Sequence, residues 1–256
     1  MVFCLLTLLA FPQERPNKEK QMIITPDGKL MSRIDGSITE PNYNLNTLKN
    51  NKLENDAPIG TPFSWDNNLG FYAGSIDWTV NAIAVSGSDV YIGGNFIDAV
   101  GNPNGDHIIR YNQKTNTWYP VGTGLNGNVH SIAVSGNNVY VGGNFTDAGG
   151  NSSADYIARW DGNNWNALGI GLTNTVYAIA VQGSNVYVGG SFTSAGANLE
   201  SDYIARWDGS SWNSMGQLDD YVFAIAVNGT YVFVGGAFTS ASSAGFNYFA
   251  SYAGSS

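Results

Sequence analysis

One phrase recurs four times in this chain and limits what it can fold into. It reads VNAIAV at Val80–Val85, VHSIAV at Val129–Val134, VYAIAV at Val176–Val181 and VFAIAV at Val222–Val227. The closing valines stand 49, 47 and 46 residues apart. A period of this size, built from short apolar runs, is the signature of propeller blades. Helical repeats of similar length would need apolar residues at spacings of three and four, and no such stretch occurs.

One copy divides into four strands. Strand A is Val176–Val181, and after the turn QGSN strand B is Val186–Gly190. The loop SFTSAGANLES leads to strand C, Asp202–Trp207, and the turn DGSS leads to strand D, Trp212–Gly216. Asp-Gly between apolar runs is a strong hairpin signal. Alternation in strand A predicts Ala178 and Ala180 on one face and Tyr177, Ile179 and Val181 on the other. The small face recurs as Ala82/Ala84, Ser131/Ala133 and Ala224/Ala226, which suits strands converging on an axis, and the large face is expected against the next blade.

Strand B ends each time on a glycine pair: Gly93–Gly94, Gly142–Gly143, Gly189–Gly190 and Gly235–Gly236. The expectation is structural: the pair lets the backbone turn or approach a neighbour closely. A phosphate cradle would need a following helix N-terminus and usually a lysine, and neither follows.

The pattern from the glycine pair through Tyr111 and Trp118 in IIRYNQKTNTWYPVG resembles the kelch-type β-propeller repeat. The fuller form VYVGGNFTDAGG…YIARWDGNNWNALGIGL is closest to the secreted propeller repeats of cell-polarity cortical marker proteins and of bacterial surface proteins. The resemblance spans about residues 62–256 and implies an extracellular or cell-surface protein that binds through its loops. Propellers host unrelated activities, so the repeat specifies fold more sharply than function.

The expected fold is therefore all-β: a β-propeller of four-stranded antiparallel blades, four in number. PFSWDNNLGF, Pro62–Phe71, resembles a lone strand D, whereas the last repeat stops at FASYAGSS without one. An N-terminal strand that completes the last blade would close the ring and remove free edges. The rival expectation is a ring with further blades beyond residue 256.

The expected domains are 1–12, a signal peptide; 13–60, a non-repeat segment; and 61–256, the propeller. The apolar run MVFCLLTLLAF has the length of a signal-peptide core and is too short to span a bilayer. A buried element or a misplaced start is the competing reading. Met22–Ile34 reads as a hairpin about Pro26-Asp27-Gly28, and EPNYNLNTLKNNKLENDAP as a loop or linker.

Composition excludes several functions. Charged residues are 12% and the net charge is −9, which argues against nucleic acid and anionic lipid as partners. The single cysteine, Cys4, rules out an internal disulfide or a cysteine zinc site.

No set of residues names a reaction. His107 and His130 stand where sister blades mostly carry aromatics, and they read as packing variants. Asp155/Arg159 and Asp202/Arg206, with Asp106/Arg110, recur at the start of strand C, four residues apart on one strand face. That repetition predicts a structural hydrogen-bond or ion-pair role, fixing the long loop. The expectation is no catalytic residues, no cofactor and no metal, with Ca²⁺ the one candidate, through oxygen-rich loops holding Asp98 and Asp147. Sequons stand at Asn144, Asn151 and Asn228.

Binding is expected where residues vary on a fixed frame. Asn81, His130, Tyr177 and Phe223 form one such rim, and the loops 95–106, 144–155, 191–202 and 237–247 form another. The functional expectation is a secreted or cell-surface propeller, a monomer, that binds a protein or glycan and does no chemistry. The alternatives are a polysaccharide-acting hydrolase or lyase, marked by an asymmetric carboxylate pocket, and a structural segment of a larger adhesin.

Overall fold

The structure is a computed structural model. It describes residues 76, 78–196, 201–242, 244–245 and 247–253, together with the backbone of five short strands between residues 21 and 53. Chain contacts divide it into two units, Met1–Asp66 and Asn67–Ser256. The expected signal peptide at 1–12 and the expected closing strand at Pro62–Phe71 lie outside the described residues.

The first unit contains an antiparallel sheet of β1 (Gln21–Ile24), β2 (Leu30–Ile34) and β3 (Ser37–Thr39). β1 and β2 are the hairpin about Pro26-Asp27-Gly28. The stretch expected to be a linker instead carries a small ladder, β4 (Leu48–Lys49) on β5 (Lys52–Leu53).

The second unit is built of blades. Blade 1 is β6 (Val80–Ser86), β7 (Asp89–Gly94), β8 (Ile108–Asn112) and β9 (Thr117–Pro120). Blade 2 is β10 (Val129–Ser135), β11 (Asn138–Gly143), β12 (Ile157–Trp160) and β13 (Trp165–Ala167). Blade 3 is β14 (Val176–Gln182), β15 (Asn185–Gly190), β16 (Ile204–Trp207) and β17 (Trp212–Ser214). Each is an antiparallel meander in chain order. In blade 4, β18 (Val222–Asn228) and β19 (Tyr231–Gly236) pair in the same way. A two-stranded excursion follows, β20 (Ser240–Ala241) with β21 (Ala244–Gly245), and then β22 (Phe249–Ala253) pairs with β19. Among the described residues blade 4 has three strands.

The first strands of successive blades pack on one another: β6 on β10, β10 on β14, β14 on β18. β18 and β6 do not pack in this way, so the row of four is open in this structure, against the expected closed ring. The physical sign is at the ends: Ile83 on β6 is 64% exposed, while its counterpart Ile179 is 9% exposed.

The core lies between blades. Phe96, Phe145, Phe192 and Phe238, the second residue after each glycine pair, are all fully buried. Around Phe192 cluster Leu168, Leu172, Val176, Val188 and Ala195, which come from two adjacent blades. Strand D contributes a tryptophan: Trp165 lies 5.3 Å from Trp160, and Trp212 lies 5.4 Å from Trp207.

The two glycines of a pair have separate reasons. A Cβ on the first would strike the next blade: at Gly142 it would lie 2.4 Å from Val176 Cγ1. A Cβ on the second would strike its own blade's backbone: at Gly190 it would lie 2.1 Å from the Thr175 carbonyl oxygen. None of the eight has positive φ, so close approach, and not turning, is what requires seven of them; a Cβ on Gly235 would meet nothing closer than 3.7 Å.

In blades 2 and 3 the turn between the third and fourth strands is held by a carboxylate. Asp208 accepts from the Ser210 and Ser211 N–H at 2.9 Å and from Asn213 Nδ2 at 2.8 Å. Asp161 accepts from the Asn163 and Asn164 N–H and from Asn166 Nδ2. The glycine that follows each, Gly162 and Gly209, sits at φ near 100° (102° and 104°), where a side chain is strained. The hydrogen bond from Asn213 leads in holding the Asp208 carboxyl well below the ordinary carboxylate value. At Asp161 the Asn164 backbone bond leads to the same effect. A carboxyl whose folded value is depressed contributes stability that is present above its unfolded value, about pH 4, and is lost as pH falls through the folded value. The urea midpoint of Asp208→Ala is therefore expected to trail the parent by a constant amount between about pH 5 and pH 7, and by less near pH 2.5. A gap that stays full at low pH contradicts the account.

Candidate functional site

The candidate site grows from an irregularity in the first strand of every blade. Val176 pairs with Gly190 and Ala178 with Gly189, so Tyr177 is an extra residue, a β-bulge. The same register shift falls at Asn81, His130 and Phe223. A bulged residue leaves the ladder and its side chain is re-aimed. This corrects the strict alternation expected for strand A. Val176, and not Tyr177, shares a face with Ile179, and both meet Gly142 of the preceding blade, not the following one. The spacing carried the signal: two large apolar residues three positions apart cannot share one face of a regular strand.

The re-aimed side chains form a row across the blades. The His130 and Tyr177 rings are 5.6 Å apart and the Tyr177 and Phe223 rings 5.5 Å apart. Asn81, at the start of the row, donates from Nδ2 to the Val129 carbonyl at 2.9 Å and so ties blade 1 to blade 2. All four predicted rim residues thus occupy equivalent places, three of them in ring contact. Phe223 is 53% exposed, and Tyr177 and His130 are half-buried. Burial pushes the His130 imidazole below its ordinary value, which keeps it uncharged at neutral pH.

Two further aromatics widen the row. Tyr221 lies 6.4 Å from both Tyr177 and Phe223, and Tyr203 lies 5.8 Å from Tyr221. Tyr221 immediately precedes a first strand, where the other blades have Thr79, Asn128 and Thr175; that substitution was the signal for it. Tyr203 belongs to the recurrent position His107, Tyr156, Tyr203, Tyr248, each in the left-handed region at φ 60–66°. There it is locked from both sides: the Tyr203 N–H donates to Phe192 O at 2.8 Å, and Tyr203 O accepts from the Gly190 N–H at 3.0 Å. Burial leads in raising the Tyr203 phenol, with Asp202, Asp220 and Asp219 adding to it. The blade 3–blade 4 end of the row therefore presents three tyrosines and a phenylalanine beside carboxylates.

That same left-handed residue corrects the reading of the Asp/Arg pairs. Strand C starts at Ile157 and Ile204, after the left-handed Tyr156 and Tyr203, so the aspartate and the arginine do not share one regular strand face. Asp155 instead accepts from the Asp147 N–H at 2.8 Å, and Asp106 from the Asp98 N–H at 2.7 Å. These bonds tie down the loop between the second and third strands. Arg159 and Arg206 sit in the ladders opposite Tyr140 and Tyr187. Arg110 lies 3.5 Å from Asp89 and over the Tyr119 ring.

His107 Nδ1 lies 3.3 Å from Gly94 O, a local contact within its blade. Asp98 and Asp147 head short 3₁₀ turns, Ala99–Gly101 and Ala148–Gly150, in left-handed conformations. Among the described residues no three His, Cys, Asp or Glu side chains come together as metal ligands would. No helix among them is long and apolar enough to cross a membrane.

Comparison with known proteins places this geometry. Residues 63–225 match the model of the Rax2 C-terminal beta propeller domain, which covers blades 1 to 3 and enters β18. No curated protein matches the chain. Solved structures similar to it include the computationally designed Ika4 protein, at 14% identity and TM-score 0.47, over 72% of this chain and 96% of that one. The designed Ika8 protein aligns at 14% identity and TM-score 0.46, over 92% of this chain and 58% of that one. The GH74 enzyme of Niastella koreensis aligns at 16% identity and TM-score 0.32, over 64% of this chain and 33% of that one.

Proposed function

Since the chain belongs to the Rax2 C-terminal beta propeller domain family, we propose that it is a binding scaffold of the cell surface whose ligand lies on the bulge-borne aromatic row. The ligand is a glycan or a protein, and the chemistry of the row favours a glycan. Aromatic faces stack on the C–H faces of sugars, and Asp202 and Asp220 beside Tyr203 can accept from hydroxyls. The observation that carries the reading is the row itself: His130, Tyr177 and Phe223 come from three blades, yet stand in ring contact because each is the extra residue of a bulge. The frame beneath is fixed by the glycine pairs, so the row can vary without loss of fold. On this reading the domain recognises and does no chemistry, and the surface location follows from the resemblance to cortical marker repeats.

The test is a glycan array and a pull-down from surface extracts with the full chain, repeated with the double variant Tyr177→Ala/Phe223→Ala. The expected result is a captured ligand whose affinity falls at least about tenfold in the variant, the loss of roughly 1.4 kcal/mol that one or two stacking contacts supply. The variant should keep the parent's circular dichroism. A ligand bound equally by both proteins, or none at micromolar concentration, overturns the reading.

A further inference from the structure

The aromatic row is flanked by charge of one sign. Each of the two tyrosines that widen it follows a carboxylate in the chain, Asp202 before Tyr203 and Asp220 before Tyr221. The two rings stand 5.8 Å apart, and Tyr221 reaches both Tyr177 and Phe223 at 6.4 Å. Behind burial, Asp202, Asp220 and Asp219 each raise the Tyr203 phenol, so all three carboxylates lie within electrostatic reach of its ring. Asp202 also departs from its sisters. Asp106 and Asp155 accept from the Asp98 and Asp147 N–H, whereas in blade 3 the corresponding Ser194 N–H goes to Thr173 Oγ1 at 3.2 Å.

Positive charge lies elsewhere. The lysines and arginines of Asn67–Ser256 are Arg110, Lys114, Arg159 and Arg206. Each arginine is the third residue of a third strand, and Lys114 stands in the turn at the far end of β8. The first strands begin, and the second strands end, at the edge where the row stands. Among the described residues, the segments that join second to third strands and fourth to first strands at this edge hold seven aspartates and no lysine or arginine. His130 adds no charge at neutral pH, because burial holds its imidazole below the ordinary value.

We propose that the ligand of the row is a cationic glycan, an oligosaccharide of glucosamine type whose amino groups are free. This rests on the row being the binding surface and adds the charge of what binds there. An ammonium group is attracted to carboxylates and to the faces of aromatic rings alike. Tyr203, Tyr221 and Phe223 supply the rings, and Asp202 and Asp220 the charge. Asp219 is already engaged, by the Thr239 and Ser240 N–H and the Thr239 hydroxyl. A polymer suits the site better than a single headgroup. The His130, Tyr177 and Phe223 rings recur across three blades at 5.6 and 5.5 Å, so successive sugars can meet successive rings. The aspartates of the edge draw a polycation toward the row before contact.

Isothermal titration calorimetry of the full chain with hexamers of glucosamine, N-acetylglucosamine and lysine tests it. The glucosamine hexamer is expected to bind at micromolar concentration, and the other two at least about tenfold more weakly. Asp202→Asn/Asp220→Asn should weaken the glucosamine hexamer at least about tenfold. Asparagine can still accept the Tyr221 N–H that Asp220 Oδ1 takes at 2.7 Å, so circular dichroism should not change. Asp98→Asn/Asp147→Asn removes equal charge from blades 1 and 2, at left-handed positions that asparagine tolerates. It should alter affinity by less than about twofold, since charges at a distance are screened. No binding of the glucosamine hexamer, equal losses in the two variant pairs, or hexalysine bound as tightly overturns the proposal. An N-acetylated hexamer bound as tightly, and lost in Tyr177→Ala/Phe223→Ala, overturns the charge while the row stands. Glucosamine binding that survives Tyr177→Ala/Phe223→Ala overturns the row as well.

Discussion

Gly190→Ala is expected to destabilise the protein by more than about 3 kcal/mol, enough to remove much of an ordinary domain's stability. The new methyl would stand 2.1 Å from the Thr175 carbonyl oxygen. That oxygen already accepts from the Ser191 N–H at 2.9 Å, so it cannot move aside without breaking the bond that closes the bulge. Backbone on backbone leaves no flexible side chain to yield, which separates this change from ordinary overpacking of about 1–3 kcal/mol. The same should hold at Gly94, Gly143 and Gly236, where the built Cβ lies 2.0 Å from a carbonyl oxygen. Gly235→Ala is the matched control: nothing lies closer than 3.7 Å, so its effect should stay within about 0.5 kcal/mol. Urea unfolding followed by tryptophan fluorescence measures both, and equal effects from the neighbouring glycines would refute the division of roles.

Phe192→Ala should cost about 3–5 kcal/mol, the range for emptying a buried aromatic site. Phe192 is 0% exposed and clusters with Ile157 and Leu168 from blade 2 and with Val176 and Val188 of blade 3, so the loss opens a junction and not one sheet. The backbone at this position holds the left-handed Tyr203 through Phe192 O, and alanine keeps that bond. The deficit should therefore appear as lost packing with the sheets intact. Ile170→Ala, at a residue 65% exposed, is expected to change stability by less than about 0.5 kcal/mol. A loss at Phe192 no larger than at Ile170 would mean the phenylalanines are not the pins between blades.

The strands, their order within a blade and the glycine pairs were legible because each recurs in register and because short apolar runs between Asp-Gly and Asn turns have one economical reading. What the repeat concealed was local. Val176 and Ile179 stand three apart, and strict alternation put Tyr177 on the wrong face; only the bulge accounts for all three residues. Tyr156 and Tyr203 looked like strand residues by type, yet they adopt left-handed backbone that an L side chain rarely takes, and the Asp/Arg geometry changed with them. Nothing in the side chains announced that conformation; the clue lay in partners distant in sequence, the Phe192 carbonyl and the Gly190 N–H. The rim was legible because its four positions vary on a constant frame; Tyr221 was not, because its position lies one residue before the recurrent phrase. The hairpin of β4 and β5 escaped because strands of two residues carry no periodicity.

The central claim is that consecutive blades meet through a Val–Ile pair seated on a bare glycine, with the intervening residue thrown out onto a common rim. Nuclear Overhauser contacts on a methyl-labelled sample test it directly. The Gly142 Hα protons should show strong contacts to Val176 and Ile179 methyls, and the Tyr177 ring should contact His130 and Phe223. Contacts from Gly142 to the Tyr177 ring, with Val176 silent, would mean regular alternation and no bulge, and the junction and the rim would both be wrong.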